Sequence, residues 1–409
     1  MKRIVLLVLF LLTLTSCTLT NTTTKAPDKT TTAQGGDKTE LKEKPITGID
    51  PLWNEPLGYY NISPSAIKVS DTEMYVYYTR NEEIFNDKTD TIAVRKGTLK
   101  DDGTYEFSDY KTILKSTGNK DDWDGIYVFA PDVIKGKFTY NGETYNYLMA
   151  YCGSVTSGRM NAQIGFAVAK NPMDEFIRVG NEPVITYSAY DYSPSGLQRF
   201  KGVQEPSLVS YDKKGKVQML YSHYGKYNHS YVVEMDCSDL SNIKMGGRML
   251  PDTTGLQDGT TNTHLYSSDW CYDQVNDEYI VCRNFSSPTQ GQPAVAEAVQ
   301  IVYAKSNVLT SIDYTREKVF WNLINEKFYK IGAIKTSSDY SPDEMRWSGY
   351  YRVYNGCTIA DQYGWVQNPE KVEILFTSSA LSTSKYLTGE EYKFSQMIHY
   401  YSVDVNKEQ

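Results

Sequence analysis

The sequence is poor in residues arranged to bind a metal ion. It holds 6 cysteines and 4 histidines in 409 residues. No pair of cysteines has a CxxC spacing, and His223, His229 and His399 show no metal-ligand spacing either. Five cysteines remain after Cys17, an odd number, so the pattern indicates neither a zinc site nor a complete disulfide framework. Cys271 and Cys282 flank the hairpin segment CYDQVNDEYIVC. The sequence allows either a disulfide between them or two free thiols.

An excess of positive charge is also absent. The chain has 42 Lys and Arg against 50 Asp and Glu, a formal net charge of −8 at pH 7. Nucleic-acid binding requires clustered basic residues, so this balance argues against a nucleic-acid partner and against an anionic surface.

Long hydrophobic runs are missing except at the start of the chain. Residues 1–17 read MKRIVLLVLFLLTLTSC, an apolar run too short for a spanning helix and typical of a secretory signal. The end of the run resembles a bacterial lipobox, which predicts lipidation of Cys17; an ordinary cleaved signal is the alternative. Residues 18–46 are polar and predicted to be a disordered tether. We therefore expect an exported, membrane-anchored lipoprotein with one folded domain at residues 47–405.

Helical periodicity is scarce in that domain, and a strand–turn–strand motif recurs in its place. The copies begin at Ser63, Ala130, Glu205, Thr263 and, more weakly, Asn355, and Tyr-rich second strands follow. Repeats of three to four strands at this period predict an all-β, five-bladed β-propeller. Two β-sandwiches are the alternative, but they give no reason for a polar residue at the same phase of each repeat.

Three of the copies open on a proline: Ser63-Pro64-Ser65, Ala130-Pro131-Asp132 and Glu205-Pro206-Ser207. Proline within a sheet belongs at a strand's first residue. The first strand of each propeller blade lines the central channel, so residues at these strand starts converge. We expect one funnel to be formed by Ser63, Asp132, Glu205, His264 and a residue near Asn355.

Carboxylates that meet in such a funnel suit hydrolysis of a glycosidic bond. One carboxylic acid protonates the leaving oxygen, and a second carboxylate activates water from the other side, with about 6.5–9.5 Å between them in an inverting enzyme. Glu205 is the predicted proton donor. An exposed strand-end carboxylate without a catalytic role is the alternative.

The repeat and its motifs resemble the five-bladed propellers of glycoside hydrolase family 43, which degrade arabinan and xylan. The resemblance rests on APDV at 130–133, QEPSLV at 204–209 and IGFAVAKNPMDEF at 164–176. It implies that Glu205 is the general acid and that Asp132 tunes and orients the proton donor. It also makes His264 similar to the family's axial histidine, placed near a central water or a structural Ca²⁺, with no other cofactor required.

One position departs from the family pattern. The first blade should open with Asp-Pro as the general base, and this chain has Ser63. The serine hydroxyl's pKa is too high for a general base that lacks an activator. The DDWDGIYVFAPD segment offers Asp124, or Asp122, as the predicted substitute base; a solvated acidic turn is the alternative for each.

Aromatic and basic residues supply the predicted sugar contacts: Trp123, Phe129, His264, Arg346 and Trp347. Packing in the core or at the rim is the alternative for each. The sequence therefore predicts a surface-tethered, monomeric glycoside hydrolase that acts on arabinose- or xylose-containing glycans by inversion. A catalytically impaired, glycan-binding propeller is the alternative that Ser63 favours, and a scaffold lipoprotein is a third.

Overall fold

In the computed structural model of the chain, the structure describes residues 51–56, 58–187, 201–225, 228–251, 265–285, 298–305, 323–331, 352–379 and 391–404. Twenty β-strands and two short 3-10 turns account for the regular structure of these ranges. All of the described residues belong to one compact unit. In the described ranges no helix has the length and apolar character needed to cross a membrane.

The strands form five antiparallel blades in chain order, which confirms the predicted all-β, five-bladed propeller. Blade one contains β1 (Asn61–Ser70), β2 (Glu73–Asn81), β3 (Asp90–Leu99), β4 (Tyr105–Phe107) and β5 (Lys111–Lys115). Blade two contains β6 (Tyr127–Tyr140), β7 (Glu143–Ser154), β8 (Gln163–Ala169) and β9 (Ile177–Arg178). Blade three contains β10 (Gly202–Ser210), β11 (Lys216–Tyr224), β12 (Asn228–Asp236) and β13 (Lys244–Met245).

The last two blades are built in the same way. Blade four contains β14 (Asp269–Asp273), β15 (Glu278–Phe285), β16 (Ala298–Lys305) and β17 (Leu323–Ile331). Blade five contains β18 (Arg352–Asp361), β19 (Lys371–Ser379) and β20 (Met397–Asp404). The 3-10 turns span Leu240–Asn242 and Glu391–Phe394.

Each pair of neighbouring blades shares a buried apolar cluster, which explains why the strands are apolar on both faces. One cluster lies at each interface, from blades one and two round to blades five and one. Taken in that order, the clusters include Val133, Leu208, Trp270, Phe376 and Leu375. Each large side chain so buried contributes about 1.5–3 kcal/mol. A single blade would leave both of its apolar faces exposed to solvent, so the circle of five blades is the unit that folds.

The circle closes at two places. The innermost strands β1 and β18 pair in parallel, with Ala66 opposite Ile359. The start of the described chain also adds to the outer edge of blade five, where the Leu52 N–H donates to the Ile398 carbonyl at 2.9 Å. Both ends of the domain are thereby held in one blade.

The disulfide reading of the cysteine pair is wrong. Cys271 lies opposite Ile280 and Cys282 lies opposite Asp269, so the two cysteines are not cross-strand partners. Both are buried free thiols.

Candidate functional site

Five residues, one in each blade, share a left-handed backbone conformation near the start of the innermost strand. The positive φ angles are 52° at Ser63, 47° at Ala130, 58° at Glu205, 45° at Ser267 and 47° at Asn355. Four of these residues lie in a β-bulge, and Ser267 comes just before β14. This conformation costs a non-glycine residue roughly 1–2 kcal/mol, so its fivefold repetition indicates a requirement of the fold.

The N–H group of each left-handed residue donates to a side chain on the second strand of the preceding blade. The acceptors are Thr377 for Ser63 (3.2 Å), Thr79 for Ala130 (2.8 Å), Cys152 for Glu205 (3.2 Å), Ser222 for Ser267 (3.1 Å) and Asn284 for Asn355 (2.8 Å). These bonds link all five blades in a ring. We call this set the bulge ring.

The bulge ring surrounds a funnel on the propeller axis. The funnel encloses about 340 Å³ of space, part of it open to solvent. Its wall includes Ser63, Asp132, Glu205, Asp269 and Asn355. Four of these were expected there from the sequence, and the structure brings them together; their chemical roles stay predictions.

Glu205 is half-buried, and both of its carboxyl oxygens accept a hydrogen bond. The Tyr224 hydroxyl donates to Oε2 at 2.8 Å, and the Ser267 hydroxyl donates to Oε1 at 2.5 Å. Tyr224 comes from blade three and Ser267 from the loop before β14, so the carboxyl group is oriented between two blades. A side chain fixed in this way can present a proton, or accept one, at a constant position in the funnel.

Asp132 is buried at the axis and connects three blades. The Ser65 hydroxyl of blade one donates to its Oδ1 at 2.6 Å, and the Leu208 N–H of blade three donates to its Oδ2 at 2.5 Å. Burial, and then the neighbouring charge of Asp269, raise the pKa of Asp132 to about 7.

Asp269 repeats this arrangement in blade four and was missed in the sequence. It accepts from the Ser207 hydroxyl of blade three at 2.6 Å, and from the Thr358 N–H and hydroxyl of blade five at 2.7 and 2.6 Å. Burial raises the pKa of Asp269 as well. Its position in the repeat could have identified it, since Asp269 follows Ser267 by two residues, as Asp132 follows Ala130.

Ser63 faces an amide in place of a carboxylate. Asn355 Nδ2 donates to Ser63 Oγ at 2.7 Å, and both side chains line the funnel. At the position where the family pattern has its base, this chain therefore has a neutral hydroxyl–amide pair.

The predicted substitute base lies elsewhere. Asp124 is buried, forms an ion pair with Arg178 at 2.7 Å and accepts from the Tyr151 hydroxyl at 2.9 Å. The prediction was wrong because β6 begins only at Tyr127, and the loop before it packs on blade two away from the funnel lining.

The predicted stacking residues of blade two are also packed. Phe129 is buried in the cluster between blades two and three, and Trp123 packs in the cluster between blades one and two, 5.4 Å from the Tyr151 ring. Neither side chain is free to stack on a sugar in the funnel. His264, Arg346 and Trp347 lie outside the described residues, as does Cys17.

No group of three metal-ligating side chains occurs among the described residues. The oxygens of Asp132 and Asp269 already accept N–H and O–H groups. The axial carboxylates thus do not fit the expected Ca²⁺ as a ligand set, and a calcium site near His264 stays a prediction.

Comparison with known proteins gives matches of structure only. The sequence matches no protein-family model and no curated protein. A family 117 glycoside hydrolase of the marine bacterium Zobellia galactanivorans is 13% identical, with 87% of this chain and 90% of that chain covered and a TM-score of 0.52. The catalytic domain of the family 62 α-L-arabinofuranosidase of Coprinopsis cinerea is 10% identical, with 86% and 95% covered and a TM-score of 0.51.

A third structure, a family 43 β-xylosidase/α-arabinofuranosidase from a compost microbial metagenome, was solved with xylotriose in a calcium-free form. It is 12% identical, with 87% and 93% covered, and its TM-score of 0.48 adds no weight. The blades show that the chain is a five-bladed propeller, and the first two matches show that its fold is similar to those of a family 117 and a family 62 glycoside hydrolase.

Proposed function

We propose that the protein hydrolyses O-glycosidic bonds in arabinose- or xylose-containing glycans, with Glu205 as the proton donor. The observation that carries this proposal is the orientation of the Glu205 carboxyl group in the funnel by Tyr224 and Ser267. The α-L-arabinofuranosidase named above, which has the same fold, supports the choice of sugar class.

In this reaction Glu205 transfers its proton to the leaving oxygen as the glycosidic C–O bond breaks. A water molecule adds to the anomeric carbon from the opposite face, which inverts its configuration. We place that water on the side of Ser63 and Asn355, whose hydroxyl and amide can orient it. The water releases its proton to solvent, and solvent returns a proton to Glu205.

A second candidate function is glycan binding without hydrolysis. The neutral Ser63–Asn355 pair favours it, since a general base contributes roughly 10²–10⁴-fold to such a reaction and serine supplies none. In this case Glu205, Tyr224 and Ser267 would serve as hydrogen-bonding groups for sugar hydroxyls.

One experiment separates the two functions. Aryl arabinofuranosides, aryl xylosides and arabinoxylo-oligosaccharides are incubated with the protein, and released products and binding heats are both measured. Hydrolysis supports the enzyme, whereas saturable binding without products supports the binding protein. Neither products nor binding contradicts both.

We also propose that the chain is exported, is anchored through a lipid on Cys17 and acts as a monomer. Support comes from the lipobox-like segment before Cys17 and the polar residues 18–46. Labelling of the full chain in bacteria with an alkyne fatty acid tests this: the wild type should be labelled and Cys17→Ala should not. Equal labelling of both would contradict the anchor.

A further inference from the structure

Two cationic residues, Arg159 and Lys201, are held by Gln204, the residue next to Glu205 in the chain. We propose that Arg159 and Lys201 form a subsite for an anionic substituent on the glycan, a carboxylate or a sulfate ester. This inference rests on the proposed glycan binding and adds a substrate class to it.

Gln204 fixes the backbone of both cations beside the site. Its Nε2 donates to the Arg159 carbonyl at 2.9 Å and to the Lys201 carbonyl at 2.8 Å. The Ala162 N–H also donates to the Lys201 carbonyl at 2.9 Å. Gln204 directly precedes Glu205 in the chain. The backbones of Arg159 and Lys201 are therefore both anchored to the residue next to the proposed proton donor.

Lys201 extends from this anchor over the residue that orients Glu205. Its ammonium lies 5.0 Å from the centre of the Tyr224 ring, and the Tyr224 hydroxyl donates to Glu205. Lys201 is exposed, and in the described parts of the chain no carboxylate forms an ion pair with it. Its charge is therefore available to a ligand that reaches Glu205.

Arg159 is the rigid member of the pair. Its Nε and Nη2 donate to the buried Asp90 carboxylate at 2.5 and 2.9 Å, and Nη2 also donates to the Tyr60 hydroxyl at 2.8 Å. Its side chain is still 27% exposed, and among the described residues Nη1 has no acceptor. The guanidinium also lies 5.9 Å from the ring of Phe129, which directly precedes Ala130 of the bulge ring. One edge of the guanidinium is thus fixed by Asp90 and Tyr60, while the side chain as a whole keeps part of its surface exposed.

An oxyanion is the ligand that these two groups suit. The chain as a whole carries a net charge of −8, so two cationic residues held by Gln204 run against its general charge. Guanidinium and ammonium groups only donate hydrogen bonds, and their bonds to an oxyanion are about twice as strong as neutral ones. A carboxylate and a sulfate ester meet this requirement equally.

Calorimetry with three arabinoxylo-oligosaccharides of one backbone tests the subsite: unsubstituted, carrying a glucuronic acid, and carrying a sulfate ester. At low salt we expect at least one acidic ligand to bind about fivefold more tightly than the neutral ligand. The advantage should shrink as salt is added. The acidic ligand that binds more tightly than the neutral one shows whether the subsite takes a carboxylate or a sulfate ester.

Two variants and a matched control make the test specific. Lys201→Glu, at an exposed position, and Arg159→Lys should remove the preference and leave neutral binding within about twofold. Arg178→Lys is the control, because the Arg178–Asp124 pair has the same burial pattern, at 28% and 2% exposure, away from the funnel. It should keep the preference.

Equal affinity of the wild type for all three ligands, or a preference that survives in Lys201→Glu, would overturn the subsite and leave the proposed function intact. Binding of none of the three overturns both. If Arg159→Lys does not fold, Lys201→Glu decides alone.

Discussion

Asn355 donates its side-chain amide to the Ser63 hydroxyl at 2.7 Å, and this bond joins the innermost strand of the last blade to that of the first. Both residues are members of the bulge ring, so their positions are fixed by the fold. The pair lines the same funnel as Glu205 and contains no carboxylate. The chemistry of the funnel therefore depends on two neutral groups at this point.

Replacement of Ser63 by aspartate should increase hydrolysis. Aspartate tolerates a left-handed backbone, and the Asn355 amide can donate to its carboxylate. A general base contributes roughly 10²–10⁴-fold, so we expect at least a tenfold rise in kcat on an aryl glycoside. Ser63→Asn is the control with the same shape and no charge, and an equal gain in both variants would contradict the role of the carboxylate.

Removal of the Tyr224 hydroxyl should weaken catalysis or binding at Glu205. Tyr224→Phe deletes the 2.8 Å bond to Oε2 and leaves the carboxyl group held by Ser267 alone. A hydrogen bond of this kind contributes about 0.5–1.5 kcal/mol, so kcat or glycan affinity should fall about twofold to tenfold. Tyr221→Phe is the matched control in the same strand, because the buried Tyr221 hydroxyl has no hydrogen-bond partner among the residues that the structure describes. A similar loss in both variants would indicate a general effect on β11.

The stability of the fold should decrease as the pH rises from about 4 to 7. The pKa of Asp132 is raised from 3.8 to about 7 by burial, so the folded state binds a proton there that the unfolded state has lost. The stabilisation is complete below pH 3.8 and is lost as the pH rises through about 7. Urea unfolding at a series of pH values measures it.

Asp132→Asn is the control for this pH dependence, since asparagine can accept from the Leu208 N–H without titrating. Its curve should be flatter over the same interval. A wild-type curve that rises from pH 4 to 7, or a variant curve with an unchanged slope, would contradict the assignment to Asp132.

The hydrogen bonds of the bulge ring should stabilise the fold. Removal of one of their acceptors should therefore lower the free energy of unfolding. Thr79→Val leaves the Ala130 N–H without its 2.8 Å acceptor and should lower the free energy of unfolding by about 1–3 kcal/mol. Thr79→Ser retains the hydroxyl and should cost less. Equal stability of Thr79→Val and the wild type would show that the ring is not required.

The architecture was predictable because its signal is repeated. Each blade encodes the same strand–turn–strand pattern, and three strand starts carry proline directly after the left-handed residue, at Ser63, Ala130 and Glu205. Repetition averages out local ambiguity, so the fold and the position of the funnel follow from sequence. The closure through Leu52 was not predicted, because a single backbone bond has no sequence pattern.

The details of the site were less predictable because they depend on the exact residue at which each repeat begins and on how the loops between strands pack. The sequence pattern places the start of blade four near His264, whereas the structure places its left-handed residue at Ser267, so the pattern does not identify Asp269. Proximity to Asp132 in the sequence is what predicts a role for Asp124. Its loop instead packs outward against Arg178, which no local pattern reveals.

The rate of hydrolysis by Glu205→Gln tests whether Glu205 is the proton donor of a glycoside hydrolase. Glutamine keeps the shape of the side chain but cannot donate an acidic proton. We predict that wild type hydrolyses an aryl arabinofuranoside or arabinoxylo-oligosaccharide, and that kcat falls roughly 10²–10⁴-fold in Glu205→Gln with the glycan still bound. Equal rates in the two proteins, or no hydrolysis by either, would contradict the claim.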